Sequence, residues 1–108
     1  MGNRIDIAGA SGRTYSFFQL DAEAFLKPIG VTYLIAERAA HGWCVLQVGE
    51  TNNLALRDWE PRLAAVRGAH PAAEMLIRLN VSRSIRDAEA ADIAAAPRAK
   101  PACSDSDG

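Results

Sequence analysis

The 108-residue sequence contains arginines and acidic residues, among them Arg57 and Glu89, whose chemistry suits a phosphodiester. A planar guanidinium pairs with two non-bridging phosphate oxygens, and a carboxylate holds Mg²⁺ through its oxygens. The two residues act together only if the fold brings them onto one surface. Each also has a structural interpretation, because Arg57 can pair with Glu60 at i+3 and Glu89 can be an exposed helix residue near Arg86.

An N-terminal hairpin is predicted ahead of the segment that carries these residues. Residues 4–7 and 14–18 have the composition of short strands, and the glycines within residues 9–12 supply the positive φ angles that a tight turn needs. A helix is predicted over residues 22–27, and Pro28 stops it.

Two strongly apolar segments come next in the chain. Residues 31–36 and 43–48 predict two strands, which a polar loop over residues 37–42 joins into an antiparallel hairpin. Their nearly continuous apolar character predicts that both strands are buried on both faces.

Helices are predicted on either side of a last strand. Apolar residues spaced by three and four over residues 56–66 predict one helical face, which Pro61 opens or kinks. Alternation over residues 74–81 predicts a strand, and Ser82 can cap a helix over residues 83–95. This order of elements predicts an α+β fold, with a small antiparallel β-sheet flanked by helices.

The length of the chain predicts a single domain. We place this domain at residues 1–97, with the N-terminal hairpin and helix in 1–29 and the core in 30–97. Residues 98–108 contain too little apolar surface to offset the entropy cost of ordering them, so a flexible tail is predicted there.

Charge is distributed unevenly along the chain. The net charge of −1 argues against a strongly basic nucleic-acid binder. Between residues 57 and 86, however, there are six arginines and three acidic residues, which leaves a local excess of positive charge. Arginine forms bidentate contacts with phosphate. Four of these arginines are therefore candidates for contacts with a nucleic-acid backbone: Arg62, Arg67, Arg83 and Arg86.

Three features of the sequence predict the cellular compartment. No apolar run approaches the roughly 20 residues that cross a bilayer. The N-terminus lacks the apolar core of a signal peptide. The two cysteines, Cys44 and Cys103, make no disulfide framework and are predicted to be free thiols. We therefore expect a cytoplasmic protein with no membrane partner.

Several short motifs together resemble a degenerate GIY-YIG nuclease domain. The resemblance covers about residues 30–96 and implies a three-stranded antiparallel sheet with flanking helices, here with an added N-terminal hairpin. Active members of this family cut DNA phosphodiester bonds with one divalent metal ion, usually Mg²⁺. The motifs that carry the resemblance are Gly30-Val31-Thr32, Gln47-Val48-Gly49, Arg57 and Glu89.

The resemblance also implies a role for each matched catalytic residue. Arg57 would face the phosphate and Glu89 would hold the metal, whereas Thr32 and Gln47 stand where the family has its two tyrosines. Neither replacement is a ready proton acceptor, and a positioned general base contributes about 10²–10⁴-fold to a rate. Tyr33 could substitute only if a bulge shifted the strand register, because successive strand residues point to opposite faces.

Two functions are therefore expected. The first is a nucleic-acid-directed domain of phosphodiester-cleaving ancestry with weak or lost endonuclease activity. It would contact DNA through phosphates and need Mg²⁺ or another divalent cation only if it is active. The alternative is a non-catalytic protein-interaction or assembly module that keeps the same scaffold. Arg57 and Glu89 favour the first function, while the near-neutral charge and the replaced tyrosines favour the second.

Overall fold

Five antiparallel strands form one sheet in the computed structural model, which describes residues 4–21, 26–39 and 42–96. Their order across the sheet is β1-β2-β5-β3-β4. The predicted α+β class is confirmed. The strands are β1 (Arg4–Ala8), β2 (Thr14–Gln19), β3 (Val31–Ala39), β4 (Gly42–Thr51) and β5 (Glu74–Leu79), and the helices are α1 (Glu60–Ala69) and α2 (Arg83–Ala95).

The predicted N-terminal hairpin is confirmed by the pairing of β1 with β2. Gly12 in the connecting turn has a φ of 92°, a conformation that favours glycine. The predicted helix over residues 22–27 lies mostly outside the described residues, and its last two positions, Leu26 and Lys27, are not helical. The predicted tail over residues 98–108 also lies outside the described part of the chain.

The central strand of the sheet is β3, which pairs with β4 on one side and β5 on the other. Residues 31–36 are all buried, so the predicted burial on both faces is correct for β3. The same prediction is wrong for β4, because β4 is an edge strand with one neighbour and mixed burial. Both strands also extend into the predicted loop, and one residue of β4, Leu46, forms a bulge between the Ile35–Gln47 and Ala36–Val45 pairs.

Two apolar clusters cover the two faces of the sheet. We call the face beneath α1 the α1 side and the face beneath α2 the α2 side. The α1 side joins Tyr33, Ile35 and Met75 of the sheet to Trp59, Leu63 and Val66. The α2 side joins Phe17, Leu34 and Leu76 of the sheet to Ile93. Residues of β3 therefore alternate between two cores.

The segment before α1 contains a break that the sequence pattern does not predict. A 3₁₀ turn at Leu54–Leu56 ends at Arg57, whose φ of 57° is left-handed, and α1 begins only at Glu60. This break turns Leu56 outward, where it is 71% exposed, so the prediction that residue 56 belongs to the buried helical face is wrong. Pro61 lies in the first turn of α1, where its missing amide needs no partner.

The last strand is shorter than predicted, whereas the last helix has its predicted bounds. The strand β5 ends at Leu79, and both Leu79 and Val81 are exposed. The helix α2 spans residues 83–95, and the Oγ of Ser82 accepts a hydrogen bond from the amide of Ile85. A capping side chain therefore marks the start of α2 in both sequence and structure.

Two observations bear on the predicted compartment. Within the described chain, neither helix combines the length and the apolar character that crossing a bilayer requires. Cys44 is disulfide-bonded, so the prediction of a free thiol is wrong for this residue, and Cys103 lies outside the described residues. Disulfides are typical of oxidising compartments. The cytoplasmic location stays a prediction.

Candidate functional site

The four residues that the resemblance places in one catalytic site lie on two sides of the sheet. Arg57 and Gln47 lie on the α1 side, whereas Thr32 and Glu89 lie on the α2 side. The fold therefore does not bring Arg57 and Glu89 onto a common surface, which is the condition for their joint action on a phosphodiester.

Arg57 is held beside the start of α1. Its Nη1 donates a hydrogen bond of 2.9 Å to Oε2 of Glu60, which confirms the structural interpretation of this pair. Its guanidinium carbon lies 5.8 Å from the ring centroid of Trp59, within the range of a cation–π contact. Because Trp59 belongs to the core beneath α1, Arg57 is fixed on the α1 side.

Tyr33 lies on this same side, although it is not among the residues that the resemblance predicts. Its hydroxyl accepts a hydrogen bond of 3.3 Å from Nη1 of Arg62. Gly49 lies directly opposite Tyr33 in the neighbouring strand, and a Cβ there would come within 2.5 Å of the ring. No bulge occurs at Tyr33, so the expectation that Thr32 and Tyr33 face opposite sides holds.

Gln47 faces the α1 side through its pairing partner. It lies opposite Ile35, which belongs to the core beneath α1, and residues directly opposite each other in an antiparallel pair share a face. Gln47 is exposed. The α1 side thus presents a phenol, an amide and two guanidinium groups, from Tyr33, Gln47, Arg57 and Arg62.

Three acidic side chains of the α1 side that the structure describes lie beside basic or hydroxyl groups. Within the described ranges, no group of three or more His, Cys, Asp or Glu residues is arranged to hold a metal ion. The described residues of the α1 side thus combine guanidinium groups with no cluster of acidic side chains that could hold a cation. Glu60 pairs with Arg57, Asp58 accepts from the Thr51 hydroxyl at 3.1 Å, and Oε1 of Glu37 lies 3.3 Å from Nδ1 of His70, an atom with no hydrogen-bond partner among the described residues.

Thr32 is enclosed on the α2 side. It lies opposite Glu50 of β4 and Arg78 of β5 and has no exposed surface. Its Oγ1 has no hydrogen-bond partner among the described residues. A buried hydroxyl in this position cannot reach a substrate, so the structure does not support the predicted catalytic role of Thr32.

Glu89 is engaged by Arg78 across the interface between α2 and the sheet. Nε of Arg78 donates to Oε1 of Glu89 at 3.0 Å, and Nη2 donates to Oε2 at 3.4 Å. The Glu89 side chain is only 12% exposed. Because both carboxylate oxygens face a guanidinium, these residues do not fit a Mg²⁺ site.

The four arginines predicted to contact a nucleic-acid backbone are equally divided between the two helices. On α2, Arg86 is 2% exposed and donates to Glu50 at 2.9 Å and to the carbonyl of Asn80 at 2.8 Å, so it cannot reach a ligand. Arg83 is exposed and pairs loosely with its neighbour Asp87 at 3.9 Å.

On α1, Arg62 and Arg67 both have exposed side chains. Nε of Arg67 donates a hydrogen bond of 2.8 Å to the carbonyl of Ala73, which fixes the loop after α1. Arg62 contacts Tyr33 as described above. Arg62 therefore lies beside Tyr33, and Arg67 shares a surface depression with Trp59 and Glu60, the two residues that Arg57 contacts.

A second polar cluster, which we call the Asp92 cluster, consists of Asp92, Ser11 and Tyr15. One carboxylate accepts three hydrogen bonds, from the Ser11 amide at 2.8 Å, the Ser11 hydroxyl at 2.7 Å and the Tyr15 hydroxyl at 2.7 Å. The bonds from Ser11, followed by the bond from Tyr15, hold the pKa of Asp92 below its ordinary value. The bond to Asp92, with burial, raises the pKa of Tyr15.

Comparison of the chain with protein-family models, with curated proteins and with solved structures finds no match. The resemblance to the GIY-YIG family accordingly stays a prediction that rests on the motif residues. The arrangement of side chains on the α1 side is the remaining basis for a functional proposal.

Proposed function

We propose that this chain is a nucleic-acid-directed domain that binds the phosphodiester backbone through its α1 side and has lost endonuclease activity. The contact residues are Arg57 and Arg62, with Tyr33 positioning Arg62. Hydrolysis has no support in the geometry, because Glu89 is paired with Arg78 on the other side of the sheet.

The observation that carries this proposal is the backbone conformation of Arg57. Among the described residues, it is the one non-glycine residue with a positive φ. A left-handed conformation costs a side chain with a Cβ about 1–2 kcal/mol, and such strain concentrates at functional sites. Glycine would fit this position more easily, so the presence of an arginine favours a role for its guanidinium.

The test measures binding of a labelled DNA duplex at two salt concentrations. We expect binding that weakens steeply as salt rises, since phosphate contacts release counterions. Arg57→Gly should weaken binding several-fold while thermal stability stays equal or rises, because glycine relieves the left-handed strain. Arg83→Ala, on the opposite helix, is the control and should leave binding unchanged.

Two results would contradict the proposal. Absence of binding at low salt, or equal binding by the Arg57→Gly variant, would remove the phosphate-binding role of the α1 side. Rapid nicking of supercoiled plasmid with Mg²⁺ or Mn²⁺, abolished by Arg57→Ala, would show that cleavage persists.

A protein-interaction or assembly module on the same scaffold is the second candidate. It is favoured by large apolar side chains that are exposed at the ends of β2 and β5 and in the first turn of α2, because exposed apolar surface marks contact sites for other proteins. Failure of duplex binding together with concentration-dependent association in sedimentation would favour this function. The residues concerned are Phe18, Leu79, Val81 and Ile85.

A further inference from the structure

The β1–β2 hairpin has a short hydrogen-bonded connection to the rest of the sheet. Its ladder with β5 consists of two pairs, Phe18 with Ile77 and Gln19 with Leu76. By contrast, the ladder between β3 and β5 runs along the whole of β5. The sheet is therefore continuous but narrow at the boundary between β2 and β5.

Close packing does not extend along the whole contact between the hairpin turn and α2. An open cavity of about 550 Å³ lies between them, and Arg13, Ile85 and Glu89 are among the residues that line it. At one end of this cavity the Asp92 cluster joins the two elements across roughly 80 residues of sequence. The amide of Ala10 adds a hydrogen bond of 2.9 Å to the carbonyl of Asp92.

The turn also fits tightly against the Asp92 carboxylate. A Cβ on Gly9 would overlap this carboxylate, so the turn reaches its position only because residue 9 has no side chain. At the other end of the hairpin, beside β5, Nη1 of Arg78 donates to the Ser16 carbonyl at 3.4 Å, the Leu20 amide donates to the Met75 carbonyl at 2.9 Å, and Gln19 donates to Glu74. The Asp92 cluster is thus the set of polar contacts that fastens the turn end of the hairpin, away from its ladder with β5.

We propose that the β1–β2 hairpin opens as one unit about its two-pair ladder with β5, and that the Asp92 cluster holds it closed. Opening separates Tyr15 and Phe17 from the α2-side core, and it leaves the ladders of β3 with β4 and β5 intact. The closed hairpin then covers the sheet residues of the α2-side core. This inference is independent of nucleic-acid binding.

The charged groups around Asp92 determine how closure of the β1–β2 hairpin responds to pH. Arg13 from the turn and Glu89 from α2 act on the cluster, and Arg78 of β5 lies 5.4 Å from the Tyr15 ring centroid. Since hydrogen bonds from Ser11 and Tyr15 lower the pKa of Asp92, its contribution to closure is complete above the ordinary carboxyl range. It is lost as the pH falls through the lowered value.

Hydrogen–deuterium exchange of the full chain at neutral pH tests the proposal. In Asp92→Ala, we expect amides in residues 4–19 to exchange on the order of tenfold faster or more, because three hydrogen bonds to a charged acceptor are lost. Exchange in β3 and α1 should stay within about twofold of the parent chain. Asp87→Ala, the same substitution at an exposed position of α2, should change neither region.

A second variant keeps α2 unaltered. The double substitution Ser11→Ala and Tyr15→Phe removes the side-chain donors to Asp92 and should reproduce faster exchange in the hairpin alone. Unchanged exchange in both variants would show that the Asp92 cluster does not hold the hairpin. Equal acceleration in the hairpin, β3 and α1, or unfolding of the whole chain, would show that the hairpin does not open separately.

Discussion

The two sides of the sheet use charged side chains differently. On the α2 side, the pairs Arg86–Glu50 and Arg78–Glu89 lie between helix and sheet, on either side of the buried Thr32. On the α1 side, the helix–sheet interface is apolar and the arginines lie at its margin. The buried pairs of the α2 side therefore hold the helix to the sheet, whereas the arginines of α1 have exposed side chains.

This difference shows that residue type does not determine role. Arg57 and Arg86 have the same side chain, and each has an acidic partner. Arg57 precedes α1, whereas Arg86 lies within α2. One is fixed at the margin of a core, and the other is enclosed by Glu50, Asn52 and the carbonyl of Asn80. Burial, and not residue type, therefore decides whether an arginine is accessible to solvent.

The largest expected effect concerns the buried charges of the α2 side. Arg86→Met should lower the free energy of unfolding by about 3–5 kcal/mol, because it leaves Glu50 without its buried partner. Arg83→Met, on the exposed face of the same helix, should change this free energy by no more than about 0.5 kcal/mol. Chemical denaturation of both variants measures the contrast, and similar values for the two would refute the role of the Arg86–Glu50 pair in holding α2 to the sheet.

A smaller effect is expected on the α1 side, from the fit of Tyr33 against β4. Gly49→Ala should cost about 1–3 kcal/mol, since its Cβ would lie 2.5 Å from the Tyr33 ring. Gly68→Ala, in α1 with no heavy atom near the new methyl group, should instead stabilise by about 0.5–1 kcal/mol. Thermal melts compare the two variants. If Gly49→Ala raised the melting temperature, Tyr33 would not be closely packed against residue 49.

The smallest expected effect concerns two buried threonines that differ in their partners. Thr32→Val should stabilise the chain by about 1 kcal/mol, because its hydroxyl has no partner among the described residues. Thr51→Val should destabilise by about 1 kcal/mol, since Oγ1 of Thr51 bonds Asp58 at 3.1 Å and accepts from the amide of Asn53 at 3.2 Å. Denaturant titration gives both values, and a destabilising Thr32→Val would indicate a bound water at the hydroxyl.

Local sequence patterns predict most of the elements of this fold. The cap at Ser82 and the apolar spacing after it predict α2 correctly. The apolar run over residues 31–36 correctly predicts a strand that is buried on both faces. The errors arise where one residue changes the direction of the chain. The left-handed Arg57 turns Leu56 outward, and no local pattern signals that conformation for an arginine.

The candidate site is less predictable, for a reason specific to β3. Thr32 and Tyr33 are both buried, so alternation cannot show which of them shares a side with Arg57. The register of β3 with β4 and β5 determines which side each of these residues faces. This register depends on the whole sheet. The Asp92 cluster has no sequence signal either, because Ser11 and Asp92 are 81 positions apart.

The bulge at Leu46 has a consequence for how copies of this chain meet one another. The strand β4 leaves one edge of its backbone unpaired, and a straight edge of ten residues would be a template for another strand. An extra residue in the middle of such an edge bends it and disrupts regular pairing. The irregularity at Leu46 is therefore expected to disfavour regular pairing of this edge with another strand, and deletion of Leu46 to restore a continuous edge.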